Sequence, residues 1–282
     1  MLDERKQNNA PVWVGETGEN SNVWFADAVR LFEGNNIGWS WWPLKKIGNN
    51  NPLEVLSNPN YASLVDYWNG KSARPPKESN VYSGLMELAQ YTNIRTNRVK
   101  KDVIDALFRQ PFSDKAIPYA TNIISGKDSI TKAVNFDLGR NGIAYSDKDT
   151  GNYSGSTGKR SVGNRGNVYR NDGVDIFSDP AGYDSYYVGN TEADEWLQYT
   201  VHCNEAGNYS VSLSTAGSAQ GITLALDGKK IFSDINVGGS AGNIDWKPIS
   251  AGTLNLSKGK HVIRVSLGSG GINLRELVFK KN

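Results

Sequence analysis

Glu16 stands at the end of the apolar run Pro11-Val12-Trp13-Val14-Gly15, followed by Thr17-Gly18 and then Glu19-Asn20-Ser21-Asn22. The run reads as a strand, the glycines punctuate it and a helix start follows, so the Glu16 carboxylate is held at the carboxyl end of a strand. In a strand–helix repeat that end is where chemistry is done. Further on, Gly38-Trp39-Ser40-Trp41-Trp42 sets three indoles close together before Pro43. A plainer reading stands beside each feature. A glutamate between glycines is commonly a solvated turn residue, and Glu19 suits the charge that a helix dipole favours at its start. Trp39 and Trp41 alternate with Ser40, so at least one face of that run is ordinary core. Other chemistries are poorly supplied. His202 and His261 are the two histidines, too few to favour a histidine-based triad, and Cys203 is alone, which excludes a disulfide framework and a cysteine zinc site.

The elements that must position Glu16 are helices and strands in alternation. From Ser21 to Phe32, apolar residues at Trp24, Phe25, Ala28, Val29, Leu31 and Phe32 follow one helical face, with Ser21 or Asn22 as N-cap and Gly34 at the end. Asn36 to Trp42 reads as a second buried strand. Helical stripes recur around Tyr61 to Trp68, Val81 to Tyr91 and Lys101 to Phe108, which predicts parallel β/α architecture. Beyond Pro118 the period changes to two. Tyr209, Val211 and Leu213 alternate with serines, Ile222, Leu224 and Leu226 with Thr223 and Ala225, and Ile263, Val265 and Leu267 with Arg264 and Ser266. Asp227-Gly228 between two such runs predicts a type I′ hairpin. Many short strands with glycine-rich turns point to a sandwich or jelly roll.

The 282 residues are enough for two modest units. The expected division is 1–113 and 114–282, with a linker at about 109–120. A formal charge of +2 with scattered Lys and Arg lacks the footprint of a nucleic-acid binder. No membrane span is expected. The start, Met1-Leu2-Asp3-Glu4-Arg5-Lys6, has no apolar core behind it and does not read as a signal peptide.

Val14-Gly15-Glu16-Thr17-Gly18, a helix, and then Gly38-Trp39-Ser40-Trp41-Trp42-Pro43-Leu44-Lys45 resemble the seventh and eighth strands of a glycoside hydrolase family 5 barrel. The resemblance implies Glu16 as the catalytic nucleophile and Trp42 as the platform under the attacked sugar, with Trp41 as the alternative register. A retaining glycosidase also needs a second carboxyl group about 5 to 5.5 Å away as acid/base. In the family that residue follows an asparagine at the end of strand four, and residues 1–113 offer no such pair. Asn204-Glu205 lies at a turn in the β-rich half and is rejected. The expected fold class is therefore mixed, the last part of a (β/α)8 barrel followed by an all-β jelly roll. The chain is expected to be the C-terminal fragment of a longer, secreted, periplasmic or cell-surface bacterial enzyme, with any export signal upstream and the N-terminal barrel half missing. Alone it is expected not to hydrolyse glycosides.

The second half carries its own resemblance. Asn141-Gly142-Ile143-Ala144-Tyr145-Ser146-Asp147, Val168 to Ile176, Tyr187-Val188-Gly189, Asp194 to Val201 and Gly271-Ile272-Asn273-Leu274 are similar, in order and spacing, to carbohydrate-binding module family 6. That resemblance implies a jelly roll binding a glycan in a cleft at one end, with Tyr145 as a stacking tyrosine and Asn273 as the hydrogen-bonding asparagine. The family's cleft tryptophan falls at Asn243, three residues before Trp246, so one stacking surface is replaced by an amide. The family's structural calcium uses two glutamates and an aspartate. Here Lys132, Val134 and Arg275 stand at those positions, so no calcium and no other cofactor is expected. Trp196 and Tyr199 read as core, and Arg170 with Asp175 as an ion pair. The expected partner is a polysaccharide, a β-glucan foremost. The competing reading is a non-catalytic glycan-binding protein whose half-barrel is vestigial.

Overall fold

A computed structural model describes residues 2–126, 128–158, 161–180, 182, 185–239 and 244–282. After a short helix α1 (Leu2–Asn8), strand β1 (Trp13–Thr17), helix α2 (Asn22–Gly34) and strand β2 (Gly38–Trp41) form one βαβ unit. The two strands are parallel, with Trp13 opposite Gly38 and Thr17 opposite Trp41. Ser21 is the N-cap, its hydroxyl accepting from the Trp24 N–H, which satisfies one of the free donors of the first turn. The inner face of α2 supplies Phe25 and Val29, which cluster with Val103, Ala106 and Leu107 of α5 (Lys101–Phe108). Trp24, Trp39 and Trp41 close the edge of this small core.

Between β2 and α5 run β3 (Lys45–Lys46), β4 (Leu53–Glu54), α3 (Pro59–Trp68), α4 (Glu78–Tyr91) and β5 (Arg98–Val99). The three short strands make a sheet of their own. Among the described residues, β1 and β2 pair only with each other, and no barrel closes. Large apolar groups of this half face outward, Trp13 at 66% exposure and Phe108 at 64%.

The second half is a two-sheet β-sandwich. Its elements are β6 (Asn122–Ile124), β7 (Ser129–Lys132), β8 (Tyr145–Ser146), α6 (Ser154–Thr157), β9 (Ile176–Ser178), β10 (Tyr186–Val188), β11 (Trp196–Cys203), β12 (Gly207–Gly217), β13 (Ala219–Leu226), β14 (Lys229–Val237), β15 (Lys247–Leu256), β16 (Gly259–Ser266) and β17 (Ile272–Lys281). One sheet runs β15-β12-β17-β10-β9 with β7 also on β17, and the other runs β14-β13-β16-β11-β6 with β8 also on β11. The alternation seen in the sequence turns one row of each strand inward. Tyr209, Val211 and Leu213 meet Ile222, Leu224, Ile263 and Val265 in a single core, and removing these apolar rows from water is what holds the sheets together. Asp227 (φ 49°) and Gly228 (φ 81°) both take left-handed backbone in the β13–β14 turn, as a type I′ hairpin requires.

The two halves meet through buried polar groups. Asn22, at the start of α2, donates from Nδ2 to Asp102 Oδ2 (2.9 Å) and to Asp172 Oδ1 (3.1 Å). Asp102 Oδ2 also accepts from the Asn171 N–H at 2.7 Å. Lys100 donates to Asn49 Oδ1 and to the Tyr169 carbonyl, and Asn49 donates to the Arg170 carbonyl. Arg170 is wholly buried, its guanidinium 3.6 Å from the Phe136 ring centroid and 4.4 Å from that of Tyr119. Its ionic partner is Asp172 at 2.6 Å. The expected Arg170–Asp175 pair is thus corrected, because the loop turns Asp175 toward Arg165 instead.

Candidate functional site

At the carboxyl end of β1, Glu16 is exposed and lines a hollow with Thr17, Gly18, Glu19, Trp24 and Trp42. Trp42 follows β2 and is 57% exposed, with a cis peptide bond to Pro43. Trp41, one residue earlier, is turned the other way. Its indole meets Phe25 edge-on at 4.2 Å and packs, partly buried, against the small core, whereas Trp42 is the one of the two that lines the hollow. Glu19 is held by Lys46.

At one end of the sandwich, β10 and β17 pair at Val188 and Leu274, which sets Gly189 beside Asn273. A Cβ on Gly189 would lie 2.8 Å from Asn273 Oδ1 and 2.9 Å from Tyr187 Cε2. Glycine here lets the amide of Asn273 and the ring of Tyr187 both close on the backbone at 189. Tyr187 stacks on Phe177 at 5.7 Å and meets Trp246 edge-on at 5.3 Å. Burial raises the Tyr187 hydroxyl pKa, and the nearby Asp179 charge adds to it, so the hydroxyl stays neutral and able both to donate and to accept. Arg275 lies over Trp246 at 5.1 Å. Asn190 is exposed and donates to Asp175 Oδ2 at 2.7 Å. Asn243 lies outside the described residues.

Tyr145 does not join this cluster as a stacking platform. It is 1% exposed, because β8 pairs Tyr145 with Leu197 and turns its ring into the core against Phe136 at 5.3 Å. Burial drives its hydroxyl pKa well above the ordinary tyrosine value. Tyr187 and Asn190 flank Gly189 in this cluster and were not singled out from the sequence, although Tyr187-Val188-Gly189 lies within the sequence blocks that carry the resemblance. The signal passed over was Gly189 between them, which marks a close approach of a side chain.

The positions at which the resemblance puts calcium ligands can be tested on geometry. Lys132 ends β7 and is exposed, Val134 is buried, and Arg275 is engaged with Asp179 (3.7 Å) and Glu276 (3.5 Å). An ammonium, an isopropyl group and a guanidinium offer no oxygen to a hard cation, so this set does not fit calcium.

His261, Asp227 and Ser257 come together in the arrangement that a hydrolase triad uses, yet the hydrogen bonds assign another role. Nδ1 lies 2.8 Å from Asp227 Oδ2 and Nε2 lies 2.9 Å from the Ser257 carbonyl oxygen. Both neighbours accept, so both ring nitrogens donate and the imidazolium is the favoured form. A ring so occupied is no base for the Ser257 hydroxyl.

The second half is therefore a β-sandwich with an amide-and-aromatic cluster at one end. The family model described as Carbohydrate binding module (family 6) matches residues 167–281, from the loop before β9 to the end of β17, which supports a carbohydrate-binding domain of that family there. No curated protein matches the chain. Among solved structures, CsCBM6-3 from Clostridium stercorarium in complex with cellobiose is 21% identical with a TM-score of 0.39, covering 58% of this chain and 98% of that one. The C-terminal CBM6 of LamC from Zobellia galactanivorans is 22% identical with a TM-score of 0.34, covering 38% and 88%. CBM6cm-2 from Cellvibrio mixtus lichenase 5A in complex with cellotriose is 26% identical with a TM-score of 0.31, covering 39% and 86%.

Proposed function

We infer that the chain binds polysaccharide through the end of its sandwich, with β-glucan as the glycan class and Asn273 as a hydrogen-bonding contact. The observation that carries this is the family 6 match over the strands that build the cluster of Asn273, Tyr187 and Trp246. An amide beside neutral aromatic groups suits a sugar, whose hydroxyls need donors and acceptors and whose C–H faces need apolar surface. The test is retention of the intact chain on immobilised cellulose, laminarin, xylan and mannan. Retention on a β-glucan, relieved by soluble oligosaccharide, supports the reading; retention on none of the four overturns it.

A second reading concerns residues 1–113, as part of a retaining β-glycosidase whose other unit is 114–282. It is favoured by the βαβ unit, at whose strand ends Glu16 and Trp42 line one hollow. Glu16 would attack the anomeric carbon and Trp42 would carry the sugar. The acid/base is the missing role, since Glu205 sits in the sandwich and is bound to Lys281 at 2.8 Å. Such an enzyme works on polysaccharide outside the bacterial cytoplasm. No helix among the described residues is long and apolar enough to cross a membrane. The purified chain is expected to release no reducing ends from soluble β-glucan, and turnover abolished by Glu16→Gln would overturn that expectation.

A further inference from the structure

Neither part of that reading uses the hollow at the junction of the two halves. Its volume is about 370 Å³, within the range of small-molecule sites, which favour the seams between structural units. One wall is the segment from β1 into α2, with Glu19, Asn20 and Ser21, joined by Asn50. The facing wall is the segment between β8 and β9, with Asn152, Arg165 and Asn167 among its residues. Amides dominate this lining, and each carries both donor and acceptor, the pair a sugar hydroxyl can use in either direction.

Some of these amides are committed to the fold. Asn20 donates to the Asn152 carbonyl at 2.9 Å and accepts from its N–H at 3.0 Å. Others are open. Asn50 Oδ1 accepts from Asn51, but the Asn50 side-chain nitrogen and the exposed Asn167 side-chain amide have no hydrogen-bond partner among the described residues; only the Asn167 backbone N–H is bonded, to Asn164. Both charged groups of the lining are neutralised in place, Glu19 by Lys46 and Arg165 by Asp149 and Asp175. The hollow therefore favours a neutral, hydroxyl-rich ligand over an ionic one. Glu19 also lines the hollow of Glu16 and Trp42, so the two adjoin.

We propose that the junction hollow is a second carbohydrate subsite, holding a neutral sugar unit of the same glycan chain whose neighbouring units lie over Trp42. The sandwich then contributes directly to the cleft that Glu16 faces, in addition to binding glycan at its own end. This rests on the glycan-binding reading above.

Calorimetric titration of the intact chain with cellohexaose and with laminarihexaose separates the two ideas, with melting curves to check that each variant folds. The Asn50→Ala/Asn167→Ala double variant removes the open groups and one existing hydrogen bond, from Asn51 to Asn50. It is expected to lose one of two binding events, or about tenfold in its affinity, while Asn273→Ala keeps that event and loses the other. If the double variant binds as the wild type does and Asn273→Ala abolishes all heat, the junction subsite is wrong and the sandwich-end reading stands. If neither hexaose binds the wild type and none of the solid glycans retains it, both fall together.

Discussion

Asn273 is held in place by what Gly189 lacks. The Cβ of an alanine at 189 would press on Asn273 Oδ1, on Tyr187 and on Phe177, all within 3.1 Å. Contacts that short force the amide or the ring to move. Gly189→Ala is therefore expected to weaken glycan retention about tenfold or more, the loss of one or two hydrogen-bonding groups. The fold should survive, since the strain falls on side chains at the sandwich end. Retention equal to wild type in a folded Gly189→Ala protein would remove Asn273 from the site. The second prediction at this scale concerns Lys132, Val134 and Arg275. Melting temperatures in EDTA and in millimolar calcium should coincide, and a calcium-dependent rise would mean that other oxygens serve the cation. Residue roles were only partly legible in the sequence. The strand-end placement of Glu16 and Trp42 was legible because a strand end and a following strand are local patterns. Tyr145 was misjudged because which face of a two-residue strand points inward is decided by its partner, β11, which lies some fifty residues away.

At the scale of elements, the helices and strands were readable where their periods are regular. The N-cap at Ser21 and the turn at Asp227-Gly228 were readable because both are set by adjacent residues. What the period does not carry is how one turn is tied to another. The β13–β14 turn and the β15–β16 turn are joined by His261, which donates to Asp227 in one and to the Ser257 carbonyl in the other. Burial lowers the pKa of His261, but the bonds to Asp227 and Ser257 and the Asp227 charge outweigh it, and the net shift is upward. Asp227 is shifted downward, since burial, which raises its pKa, is outweighed by the bond and charge of His261 and by the Val262 N–H. A pKa raised in the folded state means that the clip stabilises fully below the unfolded histidine value. That stability fades as pH rises through the folded value. On the acid side the clip weakens only when pH falls through the depressed pKa of Asp227. The melting temperature of the wild type relative to His261→Gln should therefore be highest in mildly acidic buffer and should shrink from neutral to alkaline pH. Asp147, pushed to about 8 by burial and then by the charge of Glu195, gives a slope of the same sign in both proteins. The difference between them isolates His261. A difference that does not change with pH would show that the ring is not charged in the fold.

At the scale of the whole molecule, the contact between the halves was the least legible feature, because it is built from polar residues with no periodic signal. Asn22 reads as a helix start, Asp102 as a first-turn acid and Asp172 as loop. Together they form one buried network, in which a single amide serves two carboxylates. Asn22→Ala leaves both carboxylates buried with one donor fewer each. Hydrogen bonds to charged groups contribute about 1.5 to 3 kcal/mol, so the variant should melt several degrees lower, at roughly 2 to 4 °C per kcal/mol for a chain of this size. The tryptophans make the coupling itself measurable. Of eight, only Trp196 and Trp246 lie in the sandwich and six lie before residue 69, so fluorescence follows mainly the first half. Far-ultraviolet circular dichroism at the β-sheet band follows mainly the second. If the buried network makes one cooperative unit, the two signals coincide in the wild type. In Asn22→Ala the fluorescence transition should fall first and separate from the other, because the small core around Phe25 is left with little besides α5 to hold it. Transitions that already differ in the wild type, or that stay coincident and unmoved in the variant, would mean that the halves touch without sharing stability. In that case the hollow between them would have no fixed shape with which to select a ligand.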